Sequence, residues 1–411
     1  MTPELLARLG TPDGATALAA AADLADAPPL TAASALRARG LDPDLAAAAL
    51  TQAVLRRQAR TKFGADANVM FFTRPGLEQA TRSVVSRRRA GRLAEGGVTR
   101  LADLGCGVGA DALAAARAGI RVHAVDADPL TAAVASANVR ALGLAGLVTV
   151  SCADAGTVDL SEVDGVFCDP ARRRGGSRVF DPRAFSPSWD FVAAVPHRVP
   201  RTVLKLAPGI DHGLIPAGAE AEWVSVDGDL VEAAFWCGPL AGAPRRATLL
   251  RSDPPSASRP DPPSASRRWS DSPAITGSGD ATAPVGPVRR YLYDPDPAVV
   301  RSHLVAEFAS IVDGTLADPR IAYVYADSAT PTGFARCFEV TEAMPLSVKR
   351  LRSVLRERGV GRLTVKKRGS ALEPDELRRS LRLAGPEEAT IVLTRVDDAP
   401  TVLFATPVPA A

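Results

Sequence analysis

Cysteine is scarce and dispersed in this chain. Its five cysteines form no Cys-x-x-Cys pair and no cluster with the four histidines, and they stand at positions 106, 152, 168, 237 and 337. This spacing argues against a structural zinc site and against a disulfide framework, so we expect no metal and a reducing, cytoplasmic environment. A Gly-x-Ser-x-Gly nucleophile elbow is also absent, which argues against a serine hydrolase.

Long apolar runs are missing too. No run of 18 apolar residues predicts a membrane span, and the first residues lack the basic and apolar regions of a signal peptide, so we expect no membrane partner. Lysine is rare, with five residues among 49 basic ones, and the net charge of +3 neither requires nor excludes nucleic acid. With 46% hydrophobic residues, the 411 residues predict two or three domains.

The most informative feature is a glycine-rich turn between two predicted strands. An apolar strand predicted over 99–104 is followed by glycines at alternate positions, Gly105, Gly107 and Gly109. A second predicted strand ends at Asp126, about 20 residues further on, where an acid can bind ribose hydroxyls. Because glycine lets a backbone approach a ligand closely, the pattern predicts a nucleotide-like ligand.

An acid ahead of this turn distinguishes between two such ligands. Asp103 lies two residues before the first glycine, where its carboxylate would repel the pyrophosphate of a dinucleotide. The same carboxylate would attract the ammonium of S-adenosyl-L-methionine, which also carries a sulfonium cation and a ribose. The pattern resembles the nucleotide loop of class I methyltransferases, and this resemblance implies S-adenosyl-L-methionine as cofactor. A turn that holds another ligand, or none, stays open.

Alternating strands and helices predict a parallel, doubly wound α/β sheet. The predicted strands are 99–104, 121–126, 147–152, 164–168 and 202–207. A hairpin is predicted next, around Asp227-Gly228. An antiparallel hairpin of this kind closes the seven-stranded, Rossmann-like sheet of class I methyltransferases, so we expect that sheet here.

Two acids follow later strands of this sheet. Asp154 comes after the third strand, a position that meets adenine in class I methyltransferases; the alternative is a carboxylate that caps a loop. The fourth strand ends in Asp-Pro-Ala-Arg, at Asp169 to Arg172, and ligands bind at the carboxyl ends of strands. Amino-methylating enzymes carry Asp/Asn-Pro-Pro-aromatic there. Asp169 and Pro170 are therefore predicted to hydrogen-bond to an amine that accepts the methyl group. Arg172 stands where those enzymes have the aromatic residue.

Several cations are candidates for steering or binding the substrate. They are Arg172, Arg173, Lys205, Lys366, Lys367 and Arg368. Arg172 and Arg173 can each donate two hydrogen bonds to a phosphate, or they can lie in a solvated loop. The lysine in the apolar fifth strand can contact substrate or pair with Asp169. The cations at 366–368 form the strongest local basic cluster, which can bind phosphate or form an exposed turn.

Composition divides the chain into four parts. Residues 1–60 are rich in alanine and leucine at helical spacing and predict a small helical unit, and 61–250 predict the α/β domain. Residues 251–287 are rich in proline and serine and predict a flexible linker. Residues 288–411 predict a separate α+β domain, with helical patterns over 297–311 and 347–358.

Three blocks together resemble bacterial methyltransferases that carry a THUMP-like C-terminal domain. They are Thr73–Thr81, Asp169–Arg173, and Val365–Gly369 with Val392–Arg395. The resemblance covers roughly 60–250 and 288–407. It implies an RNA substrate, because THUMP domains bind RNA, and a contact of Thr73 with the methionine end of the cofactor. The group is distantly similar to trimethylguanosine synthase, whose Pro-Pro-Trp loop this chain lacks.

These observations predict a cytoplasmic methyltransferase that acts on a base nitrogen of RNA. The cofactor would be held by Asp103, Gly105, Gly107, Gly109, Asp126, Asp154 and Thr73, and the acceptor by Asp169, Pro170 and Arg172. Two alternatives stay open: an enzyme that methylates a protein or a small amine, and a non-catalytic RNA-binding protein with a vestigial cofactor pocket. The sequence does not predict the oligomeric state.

Overall fold

The computed structural model describes residues 1–172, 185–252 and 272–409. Arg173 and most of the predicted linker lie outside the described residues. The chain divides into two compact units. The first unit comprises Met1–Ala221, Glu232–Gly242 and Leu250–Ser272, and the second comprises Glu222–Val231, Ala243–Leu249 and Pro273–Ala411.

The first unit begins with four helices. They are α1 (Pro3–Leu9), α2 (Pro12–Ala22), α3 (Pro29–Ala38) and α4 (Pro43–Phe63). Each begins with a proline, whose fixed φ and missing N–H suit the first helical position. Side-chain oxygens of Thr2, Thr11 and Asp42 cap three of these helices. Helix α4 is the longest and buries leucine and alanine side chains along much of its length.

Helices and strands alternate after this helical segment. The helices are α5 (Arg74–Gln79), α6 (Ser83–Glu95), α7 (Ala110–Arg117), α8 (Pro129–Ala141) and α9 (Trp189–Arg198). The strands are β1 (Arg100–Leu104), β2 (Arg121–Asp126), β3 (Val148–Cys152), β4 (Gly165–Cys168), β5 (Ala171–Arg172), β6 (Phe185–Ser186), β7 (Thr202–Leu206), β8 (Glu220–Val226), β9 (Asp229–Trp236), β10 (Arg245–Leu250) and β11 (Ala274–Gly277).

Nine of the described strands form one sheet, in the order β11-β10-β8-β9-β7-β4-β1-β2-β3. Strands β1, β2, β3, β4 and β7 run parallel, and β9 runs antiparallel to β7. The turn between β8 and β9 holds Asp227 and Gly228, both at positive φ, as a tight hairpin requires. Because the parallel strands share a direction, their carboxyl ends meet at one edge, which holds the glycine turn.

The sheet has two strands more than the seven predicted. Strands β10 and β11 pair antiparallel, with the buried side chains of Ala247 and Ile275 opposite each other. Strand β11 lies inside the range predicted as a linker, because this apolar pair supports a short strand that the surrounding composition hides. Residues 253–271 of that range lie outside the described part of the chain.

The described residues of the second unit include a further sheet and four helices. The strands are β12 (Tyr291–Pro295), β13 (Thr315–Leu316), β14 (Val324–Ala326), β15 (Ala335–Pro345), β16 (Val360–Lys367), β17 (Glu387–Val396) and β18 (Ala399–Pro407). The helices are α10 (Pro297–Arg301), α11 (Val305–Ile311), α12 (Val348–Glu357) and α13 (Pro374–Leu381). The sheet order is β13-β14-β12-β15-β18-β17-β16. The helical pattern at 297–311 forms two helices, because His303 adopts positive φ between them.

Alternation along the strands gives this sheet two packed faces. One face packs in a core with the leucines of α12 and α13, among them Leu351 and Leu377. The other packs around Tyr323 and Tyr325. In β17, for example, Ile391 lies in the first core and Val392 in the second. No helix in the described ranges is long and apolar enough to cross a bilayer.

Candidate functional site

The glycine turn connects β1 to α7 at the carboxyl edge of the sheet. Gly105, Gly107 and Gly109 all have positive φ, at 87°, 57° and 90°. A Cβ on Gly105 would lie 2.6 Å from the carbonyl oxygen of Asp169, so only glycine lets the turn and the β4 loop approach this closely. The turn therefore brings two of the predicted site segments together.

The carboxylate of Asp103 is buried at the end of β1 without a partner. Its exposed fraction is 0%, and neither carboxylate oxygen accepts a hydrogen bond from the described residues. Burial raises the pKa of Asp103 well above its usual range, and the neighbouring acids Asp111 and Asp169 add to the shift. A cation against this carboxylate would remove both penalties, so the geometry suits the ammonium of S-adenosyl-L-methionine.

Asp126 and Asp154 follow β2 and β3 at the same edge. Asp126 Oδ2 accepts from the Gly107 N–H at 3.1 Å, and Oδ1 accepts from the Asp128 N–H at 3.0 Å. Burial raises the pKa of Asp126. Asp154 Oδ1 accepts from the Gly156 N–H at 2.7 Å, which is the loop-capping role named above as the alternative. Its contact with adenine stays a prediction.

Asp169, after β4, pairs with Lys205 of β7. Lys205 Nζ donates to Asp169 Oδ2 at 2.5 Å. Burial alone would lower the pKa of Lys205, but Asp169, Glu232 and Asp111 outweigh it and raise that pKa. Of the two roles predicted for Lys205, the pairing with Asp169 is the one present in the structure. The other oxygen of Asp169, Oδ1, accepts no hydrogen bond from the described residues.

Two buried residues of this site were not predicted from the sequence. Arg89 of α6 donates to Asp111 and to Glu232 of β9, and its guanidinium lies 4.4 Å from the ring centre of Phe167. Glu232 is an acid among the apolar residues 230–236 of β9, and that anomaly was the available signal. Around the two cations Arg89 and Lys205 lie four acids, which are Asp103, Asp111, Asp169 and Glu232. This imbalance suits a positively charged cofactor.

The segment before α5 lies beside the glycine turn. Asn138 is buried and donates to the carbonyls of Val108 (2.9 Å) and Phe71 (3.0 Å), while its Oδ1 accepts from the Phe71 N–H (2.6 Å). A Cβ on Gly76 would lie 2.8 Å from Val108. Thr73 Oγ1 accepts from the Gly76 N–H at 3.0 Å and so caps α5 next to this turn.

Helix α4 holds the same segment from its other side. Gln52 exchanges two hydrogen bonds with the backbone of Phe72. Lys62 Nζ donates to three carbonyls at the end of α5, those of Leu77 (2.8 Å), Glu78 (2.8 Å) and Ala80 (3.0 Å). Burial lowers the pKa of Lys62 to about 8. The N-terminal helices therefore fix the wall of the predicted cofactor site.

The cations predicted for substrate binding lie in different places. Arg172 is in β5, which pairs with β6, and Arg173 lies outside the described residues. In the second unit, Lys366 and Arg368 both donate to Asp294. Lys367 donates to Glu373 at 2.5 Å. Each cation of the 366–368 cluster is therefore paired with an acid, although Lys366 and Arg368 share one, and contact of the cluster with phosphate stays a prediction.

Family models match three parts of the chain. A methyltransferase domain matches residues 101–172, a THUMP domain-like model matches 335–407, and a domain of unknown function matches 2–59. Two curated relatives are uncharacterized S-adenosylmethionine-dependent methyltransferases of Mycobacterium tuberculosis strains CDC 1551 and H37Rv. Each is 34% identical over 354 residues, which cover 84% of this chain and 91% of the relative. The chain belongs to this family of S-adenosylmethionine-dependent methyltransferases.

A solved structure extends the likeness in fold. A protein of Porphyromonas gingivalis W83, classed as a methyltransferase, aligns with a TM-score of 0.66 at 20% identity, over 89% of this chain and 91% of its own. The methyltransferase therefore has the expected α/β fold with a second sheet domain, and its cofactor is S-adenosyl-L-methionine. No three or more His, Cys, Asp or Glu residues in the described ranges form a group that could hold a metal.

Proposed function

We propose that this methyltransferase transfers the methyl group to a base nitrogen of RNA in the cytoplasm. The observation that carries the proposal is the placement of Asp169. Its side chain is 34% exposed, the most accessible of the four acids, and Lys205 holds one of its oxygens. The backbone carbonyl of Asp169 lies beside Gly105, and this carbonyl and the other carboxylate oxygen can accept the hydrogens of an amine.

The proposal assigns the cofactor contacts to the residues predicted from the sequence. Asp103 would meet the ammonium, the glycine turn would admit the methionine part, and Asp126 would accept from the ribose hydroxyls. Asp154 would meet adenine through its second oxygen, and Thr73 would lie over the methionine end. The fit is supported by the buried carboxylate of Asp103, which has no partner among the described residues.

Catalysis of this methyl transfer would depend mainly on how the reacting groups are positioned. The cofactor supplies an electrophilic methyl group on a sulfonium. Asp169 would orient the nitrogen lone pair toward that methyl, and Lys205 would hold the carboxylate in position. Because the nitrogen can lose its proton after transfer, no general base is obligatory, and holding the reacting atoms in line provides most of the rate. Arg172 would steer the acceptor or stack on it.

Two observations support RNA and the cytoplasm. The THUMP domain-like match lies at residues 335–407, and THUMP domains bind RNA. All five cysteines are free thiols, as a reducing compartment favours. A protein or a small amine as acceptor is the alternative that the following experiment separates.

Transfer of a labelled methyl group tests the proposal. Purified full-length protein with methyl-labelled cofactor is expected to label cellular RNA, and mass spectrometry of the digested RNA should locate an N-methylated base. Asp169→Asn should reduce transfer by about 100-fold or more through lost positioning, while S-adenosylhomocysteine affinity by calorimetry changes little. Asp159→Asn, at an exposed turn, serves as the matched control. Label in the protein fraction alone would contradict the RNA assignment.

Comparison of a strain that lacks this protein with its parent tests the same point in the cell. Mass spectrometry of RNA nucleosides should show one methylated base missing in the deletion strain. Restoration by the wild type, and not by Asp169→Asn, would tie the modification to this site. An unchanged nucleoside profile would count against an RNA substrate.

A further inference from the structure

Helix α12 separates its apolar and basic faces. Leu351 and Leu355 are fully buried against the sheet of the second unit. Lys349, Arg352 and Arg356 follow at spacings of three and four residues, so they share one face of the helix. The first and last of these cations are exposed, and Arg352 is half-buried.

Helix α13 brings further cations to the same place. Its Leu377 and Leu381 are buried, while Arg379 and Arg382 are exposed toward its C-terminal end. Two arginines of α12 reach this end: the guanidinium of Arg352 donates to the carbonyl of Ser380 at 2.7 Å, and that of Arg356 donates to the carbonyl of Arg382 at 3.4 Å. These bonds hold both guanidiniums in place without neutralising them.

The cations on this surface lack counter-charges. The set, called here the α12–α13 face, consists of Lys349, Arg352, Arg356, Arg379 and Arg382. Within the described part of the chain, none of the five forms an ion pair. Of the acids on these two helices, Asp375 pairs with Arg378, Glu357 accepts from Ser353, and Glu376 lies in the first turn of α13. The five cations outnumber these acids, and an excess of positive charge on one surface favours binding of an external polyanion.

We propose that the α12–α13 face binds the phosphate backbone of the RNA substrate. The inference rests on the proposed function and deepens it by locating the contact. Guanidinium groups donate two parallel hydrogen bonds to phosphate, and several cations on one face suit a chain of regularly spaced phosphates. The leucines of both helices are buried, so the face offers no exposed apolar side chains of the kind that insert into a membrane.

The experiment uses the full chain and a fluorescein-labelled 20-nucleotide polyuridine RNA as probe. Fluorescence anisotropy over 50–200 mM salt gives the affinity and its salt dependence. The variant Arg352→Gln/Arg356→Gln/Arg379→Gln should bind at least about tenfold more weakly. The slope of log affinity against log salt concentration is negative, and its magnitude should decrease by about 2. Each phosphate of a single strand that the protein no longer neutralises reduces this magnitude by about 0.7.

Two further variants keep the test interpretable. Lys349→Gln/Arg382→Gln removes two cations whose side chains make no hydrogen bond in the described structure, so it should weaken binding without a loss of thermal stability. Arg362→Gln removes an exposed arginine that is paired with Glu388 on the same unit and should leave RNA affinity within about twofold. Melting temperatures of all variants identify any unfolded one.

The outcomes separate the inference from the function on which it rests. If RNA binding is unchanged in both multiple variants, the α12–α13 face does not bind RNA. RNA methylation by the same preparations would still support the proposed function. Binding of wild type to phosphatidylserine vesicles or to a polyglutamate peptide, and not to RNA, would also overturn the inference for the α12–α13 face. In that case, the methyl-transfer assay decides the proposed function by itself.

Discussion

The two units differ in the charge that remains after folding. In the first, buried Arg89 and Lys205 are bonded to acids, while the buried carboxylate of Asp103 has no partner among the described residues. In the second, the three cations at 366–368 pair with the two acids Asp294 and Glu373, whereas the cations of the α12–α13 face form no ion pair within the described residues. The first region suits a cationic ligand and the second a polyanion. Both ligand proposals therefore rest on the charge that remains unpaired after folding and not on the density of charge along the sequence.

The largest expected effect is the loss of stability when a buried cation of the first unit is removed. Arg89→Met leaves Asp111 and Glu232 buried without their arginine. Loss of one partner of a buried ion pair costs about 3–5 kcal/mol, so the free energy of unfolding should fall by that amount in urea denaturation followed by circular dichroism. Arg100→Met is the control, because Arg100 pairs with Glu162 at the surface and should cost less than about 1 kcal/mol. Equal losses would contradict the contrast between buried and surface charge.

Neutralising Asp103 tests whether its buried carboxylate, which has no partner among the described residues, attracts a cationic ligand. Asp103→Asn keeps the size of the side chain and loses the attraction for a cation. Calorimetry should show S-adenosylhomocysteine affinity reduced by about 100-fold, within the range for loss of a buried charged partner. Asp159→Asn should leave it unchanged. Retained affinity in Asp103→Asn would show that the carboxylate does not meet the ammonium.

The same carboxylate predicts a pH dependence of stability in the absence of cofactor. Burial raises the pKa of Asp103 in the folded chain above the value of about 3.9 expected on unfolding. The protonated carboxyl therefore supports folding below about pH 4, and this contribution is lost as pH rises through the folded-state pKa. The melting temperature of wild type should fall relative to Asp103→Asn as pH increases from 4 to 8. A constant difference between the two would contradict the raised pKa.

Lys62 provides a smaller test of opposite sign in the first unit. Its pKa is lowered to about 8 by burial, with Arg82 and Lys205 adding to the shift and Glu78 opposing it. The unfolded chain holds the proton to about 10.4, so the stability that Lys62 contributes should rise with pH between about 8 and 10. The melting temperature of wild type should therefore increase relative to Lys62→Met over this range. Lys349→Met, at an exposed lysine, serves as the control for loss of a lysine charge.

Much of the fold could be predicted, because its signals are local. The predicted strands 99–104, 121–126 and 202–207 agree with β1, β2 and β7 to within one residue, since apolar runs bounded by glycine or acids define buried parallel strands. Asp103 and Asp169 could be placed at one edge because carboxyl ends of parallel strands meet. Helix α13 was not predicted, because eight residues give too short a periodic pattern.

Pairing between distant residues could not be predicted. Arg89 and Glu232 are 143 residues apart in sequence, and nothing local to α6 distinguishes the one buried arginine from its neighbours Arg87 and Arg88. Asp294 likewise lies more than 70 residues before the cations that it balances. The sequence therefore identified the density of basic residues at 366–368 and did not reveal its neutralisation.

The smallest expected effect decides between the two basic regions of the second unit. Lys366→Gln/Arg368→Gln removes two cations that share Asp294, so RNA affinity should fall by less than about threefold, and the salt slope should change by less than 1. Asp294→Asn, which leaves both cations in place without their counter-charge, should cost about 1 kcal/mol of stability and increase RNA affinity slightly. Both are measured by the same anisotropy titration. If the double variant lost as much affinity per cation as the α12–α13 variants, the paired cluster would contact phosphate too, and uncompensated charge would no longer distinguish the two regions.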